Sequence, residues 1–205
     1  MSLYPDPRKE VLPLPGANLT LLREADLGLP PEELFAALAR DIPWRQETIT
    51  LFGKTHLQPR LLAWFGDTHV QYRYSGKTYQ PEVWNELLTQ LRERIEVLAG
   101  APFNSVLLNY YRNERDSMGL HADDEPELGL QPVIASLSLG EERVLYFRHK
   151  RDRSVPGLDV TLPTGSVLVM RGATQDNWKH GIRKLSRSCG PRINLTFRLI
   201  QPPAT

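Results

Sequence analysis

From Phe103 to its C-terminus the chain is a succession of short, apolar-rich runs, each ended by glycine or proline. Runs of this length and punctuation predict β-strands rather than helices. The predicted strands cover residues 105–111, 133–139, 144–147, 158–162, 166–170 and 192–199. Because so many short strands must pair in two packed sheets or close on themselves, the pattern predicts a sandwich or barrel of the jelly-roll type.

Two amphipathic helices are predicted before these strands. Prolines and glutamates at 30–33 are typical of a helix start, since proline fits the first turn and carboxylates favour the positive end of the helix dipole. A longer helix is predicted over 81–99, where apolar residues recur at three- and four-residue spacing before Gly100. The segment 48–74 contains further short strands, whereas the proline-rich first 25 residues carry no structural prediction. The fold class is therefore α+β, with the helices packed on one outer face of the jelly roll.

Composition limits the class of protein. A chain of 205 residues with 40% hydrophobic residues fits one domain with a substantial core. Its single cysteine, Cys189, cannot form an internal disulfide, which is typical of an intracellular protein. No apolar run approaches the roughly 18 residues of a membrane span, and no signal-peptide block opens the chain. We therefore expect an intracellular monomer without a membrane partner.

The segment His121-Ala-Asp123 is the first candidate site. Residues two apart project to the same side of a strand, about 7 Å from each other, but to different faces of a helix. His121 and Asp123 could therefore share a metal only from extended backbone. An isolated His-x-Asp is most often an ordinary solvated loop.

His180, between two predicted strands, could supply a third ligand, although alone it fits a hydrogen-bonded structural histidine equally well. Two imidazoles and one carboxylate form the facial triad that binds Fe(II).

The last predicted strand alternates strictly between polar and apolar residues. Its polar face carries Arg192, Asn194, Thr196 and Arg198. On periodicity alone, that face should lie in water. If the apolar face instead packs against the helices, the polar face lines the interior, and two buried guanidinium groups then require anionic partners. A small dicarboxylate that chelates iron at one end would satisfy them, because the arginine fork matches a carboxylate.

Together these residues resemble the signature of the AlkB-type Fe(II)- and 2-oxoglutarate-dependent dioxygenases. The resemblance rests on His121-x-Asp123, His180, Arg192-x-Asn194-x-Thr196-x-Arg198 and the upstream Asn109-x-Tyr111. It covers about residues 49–200 and implies a double-stranded β-helix, a form of jelly roll. It further implies a single domain, 1–205, with an N-terminal arm and helix at 1–47, a nucleotide-recognition lid at 48–80, and a helix with the catalytic core at 81–205.

The resemblance also implies a role for each residue. His121, Asp123 and His180 would bind Fe(II), with dioxygen as the second cosubstrate. The 2-oxoglutarate site would comprise Asn109, Tyr111, Arg192, Asn194, Thr196 and Arg198, with Arg192 on the distal carboxylate. The implied reaction converts 2-oxoglutarate to succinate and hydroxylates an N-alkyl group of a base such as 1-methyladenine or 3-methylcytosine in DNA. The alkyl group then leaves as formaldehyde.

An enzyme acting on a base in DNA must extrude it and hold it between aromatic rings. Tyr72 and Tyr74 share one face of a predicted strand, and Leu51-Phe52-Gly53-Lys54 resembles the hairpin tip of the duplex-preferring AlkB homologue, where an apolar wedge fills the gap. Packing in the core is the alternative for these aromatic residues. The candidate substrate-binding residues are Phe52, Gly53, Lys54, Arg60, Tyr72, Tyr74, Ser75 and Asp124.

The near-neutral total charge hides two basic clusters. A net charge of +1 arises from 25 basic and 24 acidic residues. The 148–153 cluster comprises Arg148, His149, Lys150, Arg151 and Arg153, and the 183–187 cluster comprises Arg183, Lys184 and Arg187. Such clusters are usually solvated surface, but next to an active site they could bind phosphates. The predicted partner is alkylated DNA, duplex or single-stranded; an RNA or protein oxygenase, or a non-catalytic metal-binding jelly roll, are the alternatives.

Overall fold

The computed structural model describes residues 9–51, 53–68, 70, 72–74 and 77–201. Its strands are β1 (Lys9–Leu12), β2 (Asn18–Leu22), β3 (Thr48–Leu51), β4 (Lys54–Leu57), β5 (Leu61–Gly66), β6 (Tyr72–Tyr74), β7 (Lys77–Tyr79), β8 (Glu82–Val83), β9 (Ser105–Tyr111), β10 (Met118–His121), β11 (Ile134–Gly140), β12 (Arg143–His149), β13 (Leu158–Leu162), β14 (Ser166–Arg171), β15 (Trp178–Ile182) and β16 (Arg192–Arg198). Its helices are α1 (Pro31–Asp41), α2 (Glu86–Ala99) and α3 (Thr174–Asn177). Within the described residues, no helix has the length and apolar character required to cross a membrane.

Two facing sheets form the body of the molecule. The major sheet has the strand order β1-β2-β14-β11-β16-β9-β5-β8, and the minor sheet has the order β10-β15-β12-β13. Buried side chains from both sheets, among them Leu168 of β14 and Phe147 of β12, pack in one cluster between them. Strands that are distant in sequence, such as β11 and β16, are neighbours, as in a jelly roll. The predicted fold class is confirmed.

Helices α1 and α2 cover the outer face of the major sheet. Leu38 of α1 and Leu91 of α2 lie in the same buried cluster as Leu195 and Phe197 of β16. Because these apolar residues of β16 face the helices, its alternating polar residues must face the minor sheet. The polar face of β16 is therefore interior rather than solvated.

The N-terminal part of the chain and the start of α2 differ from the sequence prediction. Strands β1 and β2 extend the major sheet through β14, although the proline-rich segment carried no prediction. Helix α2 begins at Glu86 rather than at Pro81, because β8 pairs with β5 before the helix starts. The Asn85 side chain accepts a hydrogen bond from the Leu88 amide at 2.8 Å and so caps the helix. Gly100 closes it in the left-handed conformation, as predicted.

The predicted lid range, 48–80, contains two hairpins and one strand of the body. β3 pairs with β4, and β6 pairs with β7, each as a separate two-stranded sheet. β5 lies between the hairpins in sequence but pairs with β9 in the major sheet. The hairpins are thus attached directly to a strand of the major sheet.

Candidate active site

The three predicted metal ligands meet at one edge of the minor sheet. β10 pairs with β15 so that His121 lies opposite His180, and the pairing is irregular between Met118 and His121. The Asp123 carboxylate lies between the rings: its Oδ1 is 3.9 Å from His121 Nε2, and its Oδ2 is 3.8 Å from His180 Nε2. One ligand atom from each residue lies within 4.8 Å of the other two. This is the predicted two-histidine, one-carboxylate set.

Two further contacts orient the ligands. His121 Nδ1 donates to the Gly119 carbonyl oxygen at 3.0 Å, which fixes the ring with Nε2 toward the Asp123 carboxylate and free to bind a metal. The Asp123 amide donates to Gln175 Oε1 at 3.0 Å. Gln175, in α3, is 1% exposed and was missed in the sequence, where no motif marks it. Its buried carboxamide fixes the backbone at the metal carboxylate.

The charges around Asp123 suit a cation. Burial raises the pKa of its carboxyl, but the positive charge of the Arg198 guanidinium, 2.5 Å away, outweighs burial and holds the pKa below its ordinary value. Burial lowers the pKa of His180 to about 3, so its ring is neutral at physiological pH. Asp123 Oδ2 is buried without a hydrogen-bond partner among the described residues. A neutral imidazole and an unpaired carboxylate oxygen fit an Fe(II) ligand set.

A cavity between the two sheets continues from the ligands to Arg192. It encloses ≈ 440 Å³, including its open mouth, and the predicted 2-oxoglutarate residues line it: Asn109, Tyr111, Arg192, Asn194, Thr196 and Arg198. The register of β16 and β9 places Arg192 opposite Tyr111 and Asn194 opposite Asn109. Two adjacent strands therefore direct the predicted set to one interior face.

Arg192 is a buried cation with unused donors. It is 1% exposed, and its Nη2 donates to Ser138 Oγ at 2.8 Å. Its Nε and Nη1 have no hydrogen-bond partner in the described part of the chain. Burial lowers the pKa of Arg192 to about 10, which still leaves it charged at neutral pH. A buried guanidinium with two unused donors is a site for a carboxylate.

Asn194 and Thr196 are held by contacts within the sheet. Asn194 Nδ2 donates to Ser136 Oγ at 2.7 Å and to the Leu137 carbonyl at 2.9 Å. Thr196 Oγ1 donates to Asn194 Oδ1 at 3.1 Å. Ser136 and Ser138 of β11 were not predicted, although polar residues at a spacing of two in an apolar strand are the signal that marks them.

The predicted substrate residues have different placements. Tyr72 and Tyr74 lie in β6, and Lys54 opens β4, whereas Phe52 and Ser75 are outside the described residues. Gly53 takes a positive φ of 77° at the tip of the β3–β4 hairpin. Asp124 accepts a hydrogen bond from Lys150 Nζ at 2.7 Å, and Arg60 Nε donates to Asn109 Oδ1 at 2.7 Å. Their contacts with a base or a phosphate stay predictions.

The two basic clusters meet on the minor sheet. Arg183 Nη1 lies 3.2 Å from Asp159 Oδ2, and Arg148 Nη1 lies 4.0 Å from Asp159 Oδ1. The guanidinium of Arg183 also stacks over the Tyr146 ring, 4.0 Å from its centroid. Because Lys150 reaches Asp124, the 148–153 cluster extends to the residue next to the metal carboxylate.

Comparison with known protein families identifies the family to which this chain belongs. Residues 31–198 match the 2OG-Fe(II) oxygenase superfamily. The chain belongs to this superfamily. The family description names Fe(II) and 2-oxoglutarate, which are the metal and cosubstrate expected from the sequence.

Relatives of known name lie in the AlkB group of this superfamily. The chain is 43% identical over 189 residues to alpha-ketoglutarate-dependent dioxygenase alkB homolog 3 of Bos taurus, covering 88% of this chain and 63% of that protein. It is 37% identical over 180 residues to DNA oxidative demethylase ALKBH2 of Bos taurus, covering 83% of this chain and 65% of that protein. The chain thus spans a little under two thirds of the length of each. The resemblance to AlkB-type dioxygenases is confirmed.

A solved structure supports the fold. The structure of OsALKBH1 superposes with a TM-score of 0.63 at 18% identity, covering 91% of this chain and 99% of that chain. At this identity the comparison carries the jelly-roll fold alone.

Proposed function

We propose that the protein is an intracellular dioxygenase that removes N-alkyl groups from damaged bases in DNA, such as 1-methyladenine and 3-methylcytosine. The proposed reaction consumes 2-oxoglutarate and dioxygen, and it releases succinate, carbon dioxide and formaldehyde. The observation that carries the proposal is one cavity with the His121–Asp123–His180 set at one end and the unpaired Arg192 guanidinium at the other.

The residues at the metal end have distinct tasks. His121, Asp123 and His180 would hold Fe(II), which together with bound 2-oxoglutarate would activate dioxygen for oxidation of the substrate. Arg198 keeps Asp123 ionised and fixes one of its oxygens. Burial keeps His180 neutral and thus able to donate its lone pair.

The residues at the other end select the cosubstrate. Arg192 would bind the distal carboxylate of 2-oxoglutarate through its unused Nε and Nη1, since a guanidinium fork matches a carboxylate bidentately. The buried Tyr111 ring lies beside it, 5.2 Å from the guanidinium carbon. A monocarboxylic keto acid would leave this cation unpaired and should bind weakly.

Two observations support DNA as the proposed substrate: the position of the two hairpins and the names of the relatives. The hairpins β3–β4 and β6–β7 flank β5, which pairs with the cosubstrate strand β9. Tyr72 and Tyr74 are proposed to stack on the extruded base, and Asp124 to accept a hydrogen bond from it. Relatives at 37% identity bear the name DNA oxidative demethylase, which favours DNA as the substrate.

The test is turnover on defined oligonucleotides. Single- and double-stranded DNA with one 1-methyladenine or 3-methylcytosine is incubated with Fe(II), 2-oxoglutarate and oxygen, and formaldehyde and succinate are measured. We expect both products in equal amounts, and neither from His121→Ala. Glu93→Ala is the control, because Glu93 is exposed on α2, away from the cavity, and this variant should retain activity.

Other substrates are separate arms of the same experiment. Turnover on the methylated RNA sequence but not on DNA would replace the proposal by an RNA oxygenase. No succinate with any oligonucleotide, despite Fe(II) and 2-oxoglutarate binding, would count against nucleic acid as the substrate.

A further inference from the structure

Arg60 connects the lid segment to the cosubstrate cavity. It lies in the segment between β4 and β5, where its Nε donates to Asn109 Oδ1 at 2.7 Å and its Nη1 lies 3.4 Å from the Ser117 carbonyl oxygen. The Ser117 amide donates to the Pro59 carbonyl at 2.9 Å, which holds the segment against the turn after β9. Arg60 is therefore fixed at both its backbone and its side chain.

Asn109 is the residue that this contact orients. It is 1% exposed, lies opposite Asn194 in the β9–β16 register and lines the cavity. A carboxamide has one accepting and one donating end and can turn over about its last torsion. A guanidinium has only donors, so its contact selects the orientation in which Oδ1 faces Arg60. The donating Nδ2 is then the end left for a ligand.

The orientation matters because the proposed cosubstrate is an anion. If the carboxamide turned over, Oδ1 would present a lone pair to the carboxylate and keto oxygens of 2-oxoglutarate, and Nδ2 would face the donors of Arg60. Both contacts would be repulsive. Without Arg60, nothing among the described hydrogen bonds of Asn109 selects the productive orientation.

We propose that Arg60 is a positioning residue that sets the Asn109 carboxamide to donate to 2-oxoglutarate, in addition to any contact with nucleic acid. The inference rests on the proposed function, because it assumes 2-oxoglutarate in this cavity. It predicts that cosubstrate affinity depends on an arginine that does not touch the cosubstrate. A purely phosphate-binding arginine would have no such effect.

The test is a double-mutant cycle on cosubstrate binding, without DNA and without oxygen. 2-Oxoglutarate is titrated calorimetrically into Fe(II)-loaded wild type, Arg60→Ala, Asn109→Ala and the double variant. We expect each single variant to bind about tenfold more weakly, since Asn109→Ala removes the one Asn109 hydrogen bond to the charged cosubstrate and Arg60→Ala no longer directs that donor toward it. Because Arg60 acts only through Asn109, the double variant should bind no more weakly than Asn109→Ala.

Two further variants serve as a rescue and a control. Arg60→Lys can still donate to Oδ1 and should recover part of the affinity. Arg45→Ala is the matched control, since Arg45 is exposed, pairs with Glu82 and borders the same strand, and it should leave the affinity unchanged. If Arg60→Ala does not melt cooperatively, Arg60→Met, which keeps much of the side-chain length but has no donor, replaces it in both backgrounds.

The outcomes separate the inference from the proposed function. Unchanged 2-oxoglutarate affinity in Arg60→Ala, or a loss that multiplies with that of Asn109→Ala, would overturn the positioning role. Unchanged cosubstrate affinity with weakened, salt-sensitive DNA binding would assign Arg60 to phosphate alone and likewise overturn it. Failure of the wild type to bind 2-oxoglutarate would overturn the proposed function itself, and this inference with it.

Discussion

At the scale of single residues, Arg192 is the charged group on which the proposed cosubstrate site depends. Its guanidinium is buried beside the Tyr111 ring, bonded to Ser138, and retains two donors without a partner among the described residues. Uncompensated burial of a charged group destabilises the protein until an anion binds. Binding and stability are therefore linked at this side chain.

This linkage predicts opposite effects of Arg192→Met on stability and on binding. Without 2-oxoglutarate the variant should melt no lower than the wild type, because a buried charge is replaced by an apolar chain of similar length. Its affinity for 2-oxoglutarate should fall by about 2–3 kcal/mol, the value of charge-assisted hydrogen bonds. Thermal melts of the metal-loaded protein with and without 2-oxoglutarate measure both effects. A variant that keeps the full cosubstrate-induced rise in Tm would contradict the assignment.

The contact between Gln175 and Asp123 predicts a second effect at the residue scale, on metal binding. In Gln175→Leu the buried Asp123 amide is left without its acceptor, which should destabilise the protein by about 1–3 kcal/mol and weaken Fe(II) binding. Urea unfolding and an anaerobic Fe(II) titration measure the two effects. Gln90→Leu, at an exposed position of α2, is the control. Equal Fe(II) affinity in both variants would show that Gln175 does not position the ligand.

The two residues also show how far sequence reasoning reaches at this scale. The residues proposed to bind the metal and the cosubstrate lie in motifs whose spacing and order resemble a known family, so they could be proposed without coordinates. Gln175 follows no period and meets Asp123 across 52 residues of sequence. Only the packing of α3 against the ligand loop brings them together, and no local pattern encodes that packing.

At the scale of elements, alternation predicts a strand but not which face is buried. For β16 the alternation is compatible with a solvated polar face, and the choice depends on the helices that cover Ile193, Leu195 and Phe197. Likewise the period of α2 is readable, but its start is not, because the Glu82–Val83 pairing with β5 is a contact distant in sequence. The local sequence indicates that a segment is a strand or a helix. Which face of it is buried, and where it begins, depend on its tertiary contacts.

The turn between β9 and β10 predicts a pH effect on stability. Asp116 accepts hydrogen bonds from the Arg112 amide and guanidinium at 2.8–3.0 Å. Burial raises the pKa of Asp116, but the Arg112 contacts and the nearby Arg143 charge outweigh it and hold the pKa below the ordinary value of 3.8. A lowered folded-state pKa stabilises the protein above the unfolded value, and this stabilisation disappears as pH falls through the folded value.

The Asp116→Asn variant isolates this contribution. At pH 7 it should be less stable than the wild type by about 1 kcal/mol, and the difference should shrink as pH falls below 3.8 and Asp116 becomes protonated. Urea unfolding of both proteins between pH 7 and pH 2.5 measures the difference. A gap between them that is constant with pH would contradict an ionised, paired Asp116.

At the scale of the whole molecule, charge is distributed unevenly although the net charge is close to zero. The formal net charge is only +1, yet Arg148 and Arg183 meet around Asp159, and Lys150 reaches Asp124 beside the metal ligand. The minor sheet thus carries basic side chains as far as the residue next to Asp123, while α1 and α2 cover the outer face of the major sheet. Sequence showed the two clusters but not that the fold joins them.

This asymmetry predicts where salt acts on nucleic-acid binding. Removal of one phosphate-binding cation makes the slope of log K against log salt shallower by about 0.9 for duplex DNA and about 0.7 for single strands. Arg151→Gln/Arg153→Gln removes two exposed charges of the 148–153 cluster, and it should weaken DNA binding and flatten the slope by up to about 2 on duplex DNA. Arg40→Gln, on the exposed surface of α1, should change neither quantity.

Fluorescence anisotropy at salt concentrations between about 50 and 200 mM, where phosphate binding weakens steeply, measures both the affinity and the slope. Equal slopes for the double variant and the wild type would exclude this cluster from the phosphate-binding surface, and 2-oxoglutarate affinity measured on the same samples would show that the cavity itself is intact.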